Sequence, residues 1–321
     1  MNLEDLNVEK ELKIIFMGTP DFAVPILQGL IDNYKVRAIV TQPDRLISKK
    51  GELKYTPVKK VGIDNTILVL QPEKIKDDIQ SIKDLEPDII ITCAYGQILP
   101  QEILDIPRLG CINVHASLLP KLRGGAPIHR AIMEGYQKTG ITIMYMNSKM
   151  DEGDIISFEE IEITKEDTAS TLHDKLSKLG KKLLLKTLPS IINGTNERIK
   201  QDSSLATYAF TIKREDEKID FSKTKRQIYN QVRGLNSYPG AYAIFETKIL
   251  KIWECYESTN FYPELLDGQI THVYKDGIGV KVGNGEIVLT VVQPEGKGKM
   301  KATDFARGLI NKGSIEGKIL S

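Results

Sequence analysis

The chain is poor in cysteine, in long apolar runs and in net charge. Its 321 residues include three cysteines, which are far apart and form no C-x-x-C pair. That pattern argues against a disulfide framework or a zinc site, so we expect no metal and a reducing compartment. No apolar run approaches the roughly 18 residues of a membrane span. The sequence therefore predicts a cytoplasmic protein with no membrane partner and no evident obligate protein partner.

Charge is also nearly balanced. The chain has 44 basic residues (Lys and Arg) and 43 acidic residues, which gives a net charge of +1. The overall charge is therefore too small to support non-specific binding of nucleic acid. Any RNA partner must meet a local patch. Hydrophobic residues make up 41% and charged residues 27% of the chain, which is typical of globular proteins. At this length a single hydrophobic core usually stops growing, which predicts two domains.

The first half of the sequence alternates short apolar runs with segments long enough for helices. This rhythm predicts an α/β domain with a Rossmann-like open sheet of parallel strands. The turn at residues 17–21 holds one glycine instead of the G-x-G-x-x-G pattern, which disfavours a dinucleotide site. The predicted strands are residues 12–17, 36–40, 66–70, 88–94, 111–115 and 141–146.

A long helix follows, because leucines recur at helical spacing after Thr168. Thr168 can cap its start, and Asn193 with Gly194 can end it. Beyond it the helical rhythm mostly gives way to short strands, which predicts a small, OB-like C-terminal β-barrel. These strands are residues 241–245, 249–253, 277–282 and 286–292. We expect a catalytic domain at 1–196, a linker at 197–213 and the barrel domain at 214–321.

Two polar side chains stand near the end of the strand predicted at residues 111–115. Side chains alternate along a strand, so Asn113 and His115 project from one face. Open α/β sheets bind their ligands at the carboxyl ends of their strands. A lone histidine on a strand is more often structural, but the carboxamide beside it favours a catalytic role.

A carboxylate follows on a later loop. Residues 150–154 come after the strand predicted to end near Met146 and place Asp151 on a glycine-containing loop. We expect this loop at the same edge of the sheet as His115. An acidic turn is also a common surface feature, and spacing alone leaves the contact open. A carboxylate beside a histidine would stabilise the imidazolium and orient the ring, as general-base catalysis requires.

Several segments resemble the family of formyltransferases that use 10-formyltetrahydrofolate. The most specific is the run SLLPKLRGGAPI at residues 117–128, together with Asn113-x-His115 and the later Asp151. Shorter collinear matches extend from IIFMGTPDFA at residues 14–23 to QPEGK at residues 293–297, and include ATYA at residues 206–209. The resemblance therefore spans the chain.

The resemblance implies a catalytic trio of Asn113, His115 and Asp151. It implies transfer of the formyl group of 10-formyltetrahydrofolate, a co-substrate, to the α-amine of methionine on initiator methionyl-tRNA, for translation initiation. The Asn113 amide and a protonated His115 would donate to the oxyanion. Asp151 would support the charged ring and help remove the amine proton. The reaction requires no metal.

The resemblance also implies binding residues. Ser117, Leu118, Leu119 and Pro120 would contact the folate, and residues 94–99 would help form the pterin pocket. The basic segment at residues 41–60 looks like the loop with which this family meets the tRNA acceptor end. That similarity makes Arg45, Lys49 and Lys50 candidate tRNA contacts, and the C-terminal barrel a tRNA-binding domain.

Two other functions remain open. A folate-dependent formyltransferase acting on an amino-sugar nucleotide would share the folate site, but the basic segment after Thr41 favours tRNA. A non-catalytic protein that binds RNA or nucleotides is disfavoured by the joint presence of the trio. The chain departs from the family pattern at Lys149 and Glu152, which add a charge of each sign close to Asp151.

Overall fold

The computed structural model describes residues 12–46, 53–309 and 313–321, which form two compact units. The first unit comprises the described residues up to Pro127 together with Lys138–Glu162 and His173–Phe210. The second comprises Ile128–Gln137, Ile163–Leu172 and the described residues from Thr211 onward. Residues 197–210, part of the expected linker, thus belong to the first unit, and the predicted domain limits stay a prediction.

The first unit is built on a seven-stranded sheet. Its strands are β1 (Ile14–Gly18), β2 (Val36–Val40), β5 (Leu68–Leu70), β6 (Ile89–Cys93), β7 (Cys111–His115), β8 (Lys138–Tyr145) and β9 (Ile155–Glu162). Their order is β5-β2-β1-β6-β7-β8-β9. A separate two-stranded ribbon is formed by β3 (Arg45–Leu46) and β4 (Leu53–Lys54).

Neighbouring strands run parallel in the part of the sheet ordered β5-β2-β1-β6-β7, which confirms the predicted Rossmann-like sheet. Burial explains why they could be predicted from the sequence: β1 and β6 are mostly apolar and almost entirely inaccessible to solvent, as expected for parallel strands covered on both faces. At the far edge β8 and β9 pair antiparallel. The sequence did not predict β9, because its polar and charged residues alternate along an exposed face and leave no apolar run.

The described part of the chain up to Ile192 contains six helices. They are α1 (Val24–Asn33), α2 (Pro57–Asp64), α3 (Ile79–Lys83), α4 (Gln101–Leu104), α5 (Pro127–Met133) and α6 (Ala169–Ile192). Of these, α5 lies mostly in the second unit and α6 begins there. The long helix α6 has the predicted ends: Thr168 Oγ1 accepts the Thr171 N–H at 3.3 Å, and Gly194 turns the chain with φ +67°. Within the described residues, no helix is both apolar enough and long enough to cross a membrane.

The second unit contains an antiparallel sheet. Its strands are β10 (Ala241–Phe245), β11 (Lys248–Glu257), β12 (Ile270–Val273), β13 (Ile278–Val282), β14 (Gly285–Pro294) and β15 (Met300–Lys301), and its further helices are α7 (Arg214–Glu217), α8 (Lys225–Gly234) and α9 (Ala302–Arg307). The main order is β10-β11-β14-β13-β12. Leu320 bridges Phe245 at the end of β10, and Ile319 bridges Gln269 just before β12. The last residues thus join both edges of the sheet, as the expected barrel requires.

Candidate active site

The three predicted catalytic side chains meet beside β7. Asn113 Nδ2 lies 3.5 Å and His115 Nδ1 lies 3.7 Å from the same carboxylate oxygen, Asp151 Oδ1. His115 is 6% exposed and the Asp151 side chain 16%, so the imidazole and the carboxylate lie in a largely enclosed environment. The structure therefore brings an amide, an imidazole and a carboxylate from separated stretches of sequence to one point.

Asp151 arrives by another route than expected. β8 runs antiparallel to β7, and Tyr145 at its end pairs with Ile112 near the start of β7. The loop after β8 therefore begins at the opposite end of β7 from His115 and must fold back. At Gly153 a Cβ atom would lie 1.8 Å from the Tyr145 carbonyl oxygen. Only glycine permits this close return of the loop along β8.

The orientation of Asn113 is set by a neighbouring strand. Thr92 on β6 donates from Oγ1 to Asn113 Oδ1 at 2.9 Å. With its oxygen engaged, the amide turns Nδ2 toward Asp151 and offers its N–H groups to the site. Thr92 is 3% exposed, and the sequence offered no signal that distinguished it from other residues of a buried strand.

The ring of His115 is held from its far side. Nε2 lies 3.0 Å from the Leu122 carbonyl oxygen, and because a carbonyl only accepts, Nε2 carries the hydrogen of this bond. Nδ1 is then the ring atom that faces Asp151. Leu122 itself has φ +57° and donates its N–H to Thr207 Oγ1 at 2.9 Å. The ring orientation thus depends on a threonine far away in sequence.

The Asp151 carboxylate is anchored through its second oxygen. The Gly124 N–H donates to Asp151 Oδ2 at 2.8 Å, which leaves Oδ1 for Asn113 and His115. The loop at residues 122–124 therefore holds both the histidine and the aspartate. A loop that positions two candidate catalytic groups at once suits the pre-organisation that catalysis needs.

That loop is in turn held by the stretch we expected to be a linker. Arg123 forms a β-bridge with Tyr208, with N–H···O bonds of 2.9 Å to Thr207 and 2.7 Å from Ala209. Sequence reasoning assigned no role to Thr207 or to Gln201, which contacts the Asp151 loop. The signal was present in the ATYA motif at residues 206–209, but a polar, aperiodic stretch reads as a connection.

The predicted folate-binding residues divide into two pairs. Ser117 and Leu119 are buried, and Ser117 Oγ donates to the Lys121 carbonyl at 2.6 Å. Thr142 Oγ1 donates to the Ser117 carbonyl at 2.7 Å and accepts the Leu119 N–H at 3.2 Å. These two residues shape the loop. Leu118 and Pro120 stay partly exposed.

Residues 94–99 form a tight turn after β6. The Tyr95 carbonyl accepts from Thr19 Oγ1 at 3.1 Å and Gln42 Nε2 at 3.0 Å. The Tyr95 side chain packs in the core, and burial raises its pKa to about 12. Ile98, in contrast, is 82% exposed. The segment therefore offers backbone and an exposed apolar side chain rather than polar side chains.

Arg45 stands on the ribbon of β3 and β4. It lies directly across from Lys54, and both side chains are exposed. Lys49 and Lys50, the other predicted tRNA contacts, lie outside the described residues. Lys59 is neutralised by an ion pair with Asp44. Burial acts to raise the pKa of Asp44, but hydrogen bonds from Lys59 and Gln71 outweigh it and hold the pKa below 3.8.

The two unusual charges beside Asp151 compensate one another. Lys149 Nζ lies 2.9 Å from Glu152 Oε1, and this hydrogen bond is the main cause that lowers the pKa of Glu152. Glu152 Oε2 also lies 3.4 Å from Arg123 Nη1. Across the described ranges, no group of three or more His, Cys, Asp or Glu side chains is arranged to hold a metal ion.

Two family models match the sequence. "Formyl transferase" covers residues 12–188, and "Formyl transferase, C-terminal domain" covers residues 211–309. The methionyl-tRNA formyltransferase of Bacillus licheniformis is 52% identical over 300 residues, covering 92% of this chain and 95% of the relative. The corresponding protein of Bacillus subtilis is 50% identical over 313 residues, covering 95% and 98%.

Solved structures agree in fold. An N-formyltransferase from Helicobacter canadensis, in complex with folinic acid and dTDP-3-aminofucose, superposes with a TM-score of 0.66. It is 21% identical and covers 88% of this chain and 99% of its own. The matching models span both parts of the sequence, and the two relatives match along nearly their whole length. The chain belongs to the formyltransferase family and, within it, to the methionyl-tRNA formyltransferases.

Proposed function

We propose that this enzyme transfers the formyl group of 10-formyltetrahydrofolate to the α-amine of methionine on initiator methionyl-tRNA. The observation that carries the proposal is the convergence of Asn113 Nδ2 and His115 Nδ1 on Asp151 Oδ1, at 3.5 and 3.7 Å. These distances are longer than strong hydrogen bonds. Catalytic hydrogen bonds are often long before substrate binds and tighten in the complex with substrate.

The chemistry follows from the three groups. When the amine nitrogen bonds to the formyl carbon, the carbonyl electron pair moves to oxygen and the nitrogen becomes positive. The Asn113 amide and a protonated His115 donate to this oxyanion, a class of contact worth roughly 10²–10³ in rate. Asp151 accepts the amine proton through Oδ1 or a water. The oxyanion then re-forms the carbonyl double bond while the carbon–nitrogen bond to folate breaks, and the folate nitrogen takes the electron pair of that bond together with the proton that Asp151 returns.

The donor is held by loops at the end of the sheet. Leu118 and Pro120 contact the folate directly in this proposal, while Ser117 and Leu119 fix the loop that carries them. Support comes from the exposure of Ile98 (82%) and Met150 (52%) on the turn after β6 and on the Asp151 loop. Exposed apolar side chains suit contact with a flat, aromatic ligand such as a pterin.

The acceptor is drawn in by the basic ribbon. Arg45 and Lys54 are cross-strand neighbours, and like charges placed directly opposite destabilise a ribbon. A phosphate backbone would relieve that repulsion, which supports Arg45 as a tRNA contact; Lys49 and Lys50 belong to the same proposal. We also propose the C-terminal domain, at residues 214–321, as a tRNA-binding domain.

An amino-sugar nucleotide is the alternative acceptor. The structure from Helicobacter canadensis contains a dTDP-aminosugar, but at 21% identity the likeness concerns the fold alone. The two acceptors are separated by one assay: the purified enzyme with 10-formyltetrahydrofolate and either methionyl initiator tRNA or amino-sugar nucleotides. We expect formyl transfer to the tRNA only. Transfer to the sugar alone would select the alternative, and transfer to neither would reject both.

A further inference from the structure

We propose that Gln201 is a positioning residue that sets the Asp151 carboxylate in place for the reaction. The inference rests on the proposed function and deepens it, because it adds a residue to the machinery of that site. Gln201 lies in the stretch that sequence reasoning assigned to a linker. It is 7% exposed, and each of its hydrogen-bonding groups has a partner in the same unit.

Both N–H groups of the Gln201 amide point to the Asp151 loop. Nε2 lies 2.9 Å from the Asp151 carbonyl oxygen and 2.7 Å from the Gly153 carbonyl oxygen. The two carbonyls flank Glu152, so one amide clamps the backbone on both sides of this residue. The loop cannot lift away from β7 without losing both bonds.

A buried arginine fixes which way the amide faces. Arg123 is 1% exposed, and its Nε and Nη2 lie 3.2 and 2.8 Å from Gln201 Oε1. A guanidinium only donates and a backbone carbonyl only accepts, so the amide oxygen must face Arg123 and the amide nitrogen must face the loop. The reverse orientation would set donors against donors and acceptors against acceptors.

Asp151 needs such a clamp because of its backbone. Its φ of +52° lies in the left-handed region, which is strained for a residue that carries a side chain. A loop left to itself relaxes toward ordinary φ values and swings the carboxylate away. The two bonds from Gln201 offset this tendency, while the Gly124 N–H orients the carboxylate itself at 2.8 Å.

Gln201 could instead serve only as a hydrogen-bond acceptor for the buried Arg123. The variant Gln201→Glu distinguishes this role from positioning of the Asp151 loop. Glutamate keeps an oxygen for Arg123 and adds a favourable charge, so a partner role predicts unchanged turnover. It has no N–H groups for the loop and sets an oxygen against two carbonyls. We expect kcat to fall about 10- to 100-fold, with KM for 10-formyltetrahydrofolate and for methionyl-tRNA changed less than about 3-fold. In Gln201→Met, whose new side chain is similar in length, kcat should fall by a similar factor.

Gln231→Met is the matched control. Gln231 is 8% exposed and also donates both N–H groups to two backbone carbonyls, those of Asp216 at 2.8 Å and Lys218 at 3.0 Å, in the second unit. We expect it to lower Tm but not kcat. If Gln201→Glu retains at least half of the wild-type kcat, or if Gln231→Met loses as much as Gln201→Met, the positioning role is overturned.

A second readout reports the loop directly. The Gly124 amide hydrogen is held by Asp151 Oδ2, so its exchange with solvent should quicken in Gln201→Glu; unchanged exchange contradicts the proposal. Should neither Gln201 variant fold, Arg123→Lys keeps the buried charge but loses the paired donors, and a wild-type kcat there would overturn the proposal. If the wild-type enzyme is inactive on methionyl-tRNA, the proposed function is wrong. If the wild-type enzyme is active and Gln201→Glu has the same kcat, only the inference about Gln201 is wrong.

Discussion

The candidate catalytic site and the basic ribbon belong to the same unit but are held in different ways. Each member of the trio has a partner outside it: Thr92 for Asn113, Leu122 for His115 and Gly124 for Asp151. Arg45 and Lys54 on the ribbon are exposed and lie opposite a like charge. Hydrogen bonds thus fix the orientation of each side chain of the trio, whereas the ribbon presents positive charge to solvent.

This difference matches the physics of the two tasks. Bond formation requires atoms placed within fractions of an ångström, since a displacement of about 1 Å can cost 10²-fold in rate. Attraction of a phosphate acts over a screening length of about 8–10 Å and tolerates mobile side chains. Substitutions in the site should therefore change kcat, while substitutions on the ribbon should change KM for the charged acceptor.

The largest expected effect is that of His115→Ala. Removal of the imidazole takes away one of the two oxyanion donors and one partner of Asp151, so we expect kcat to fall by about 10²–10⁴. The protein should still fold, and the Kd for methionyl-tRNA should stay near the wild-type value. Single-turnover formylation and a tRNA binding assay measure the two sides. Normal turnover would show that His115 takes no part in the mechanism. It would also contradict the expectation that substitutions in the site change kcat.

A smaller effect is expected when the support is removed and the trio is kept. Thr92→Val preserves the shape of the side chain but deletes the bond that orients Asn113, so we expect kcat to fall about 10-fold, less than the loss of a whole oxyanion donor. Thr187→Val is the control, because Thr187 is a buried threonine of α6 that contacts Ser157 Oγ at 2.7 Å. Equal losses in both variants would indicate instability rather than orientation.

The sequence predicted the strand-borne part of the site better than the loop-borne part. Asn113 and His115 lie on a strand that has its predicted limits, 111–115, because alternation and burial are local rules. The position of Asp151 depends on a loop that returns along an antiparallel strand. The contacts of Gln201 and Thr207 join residues about 50 to 85 positions apart. No periodicity encodes such contacts, since they rest on single hydrogen bonds between polar stretches.

The ribbon side of the comparison is tested by Arg45→Ala. Because the charge lies on an exposed surface, we expect KM for methionyl-tRNA to rise several-fold, with kcat and KM for the formyl donor nearly unchanged. The dependence of KM on salt should weaken as well. Lys83→Ala, at an exposed position of α3, removes the same charge elsewhere on the unit and should have little effect. An equal rise in both KM values would contradict a tRNA role.

The smallest effect concerns the base of the ribbon, where Asp44 and Lys59 form a partly buried ion pair. Because the pKa of Asp44 is lower in the folded protein than its ordinary value of 3.8, its carboxylate contributes stability above that value. This contribution is lost as the pH falls through the lowered folded pKa. We expect Asp44→Asn to reduce the free energy of unfolding by about 1 kcal/mol at pH 7. Urea unfolding at pH 7 and near pH 2.5 measures the difference, which should become smaller in acid. If the difference is equally large in acid, the shape of the Asp44 side chain rather than its charge stabilises this segment. The ion pair would then not be needed to fix the start of the ribbon.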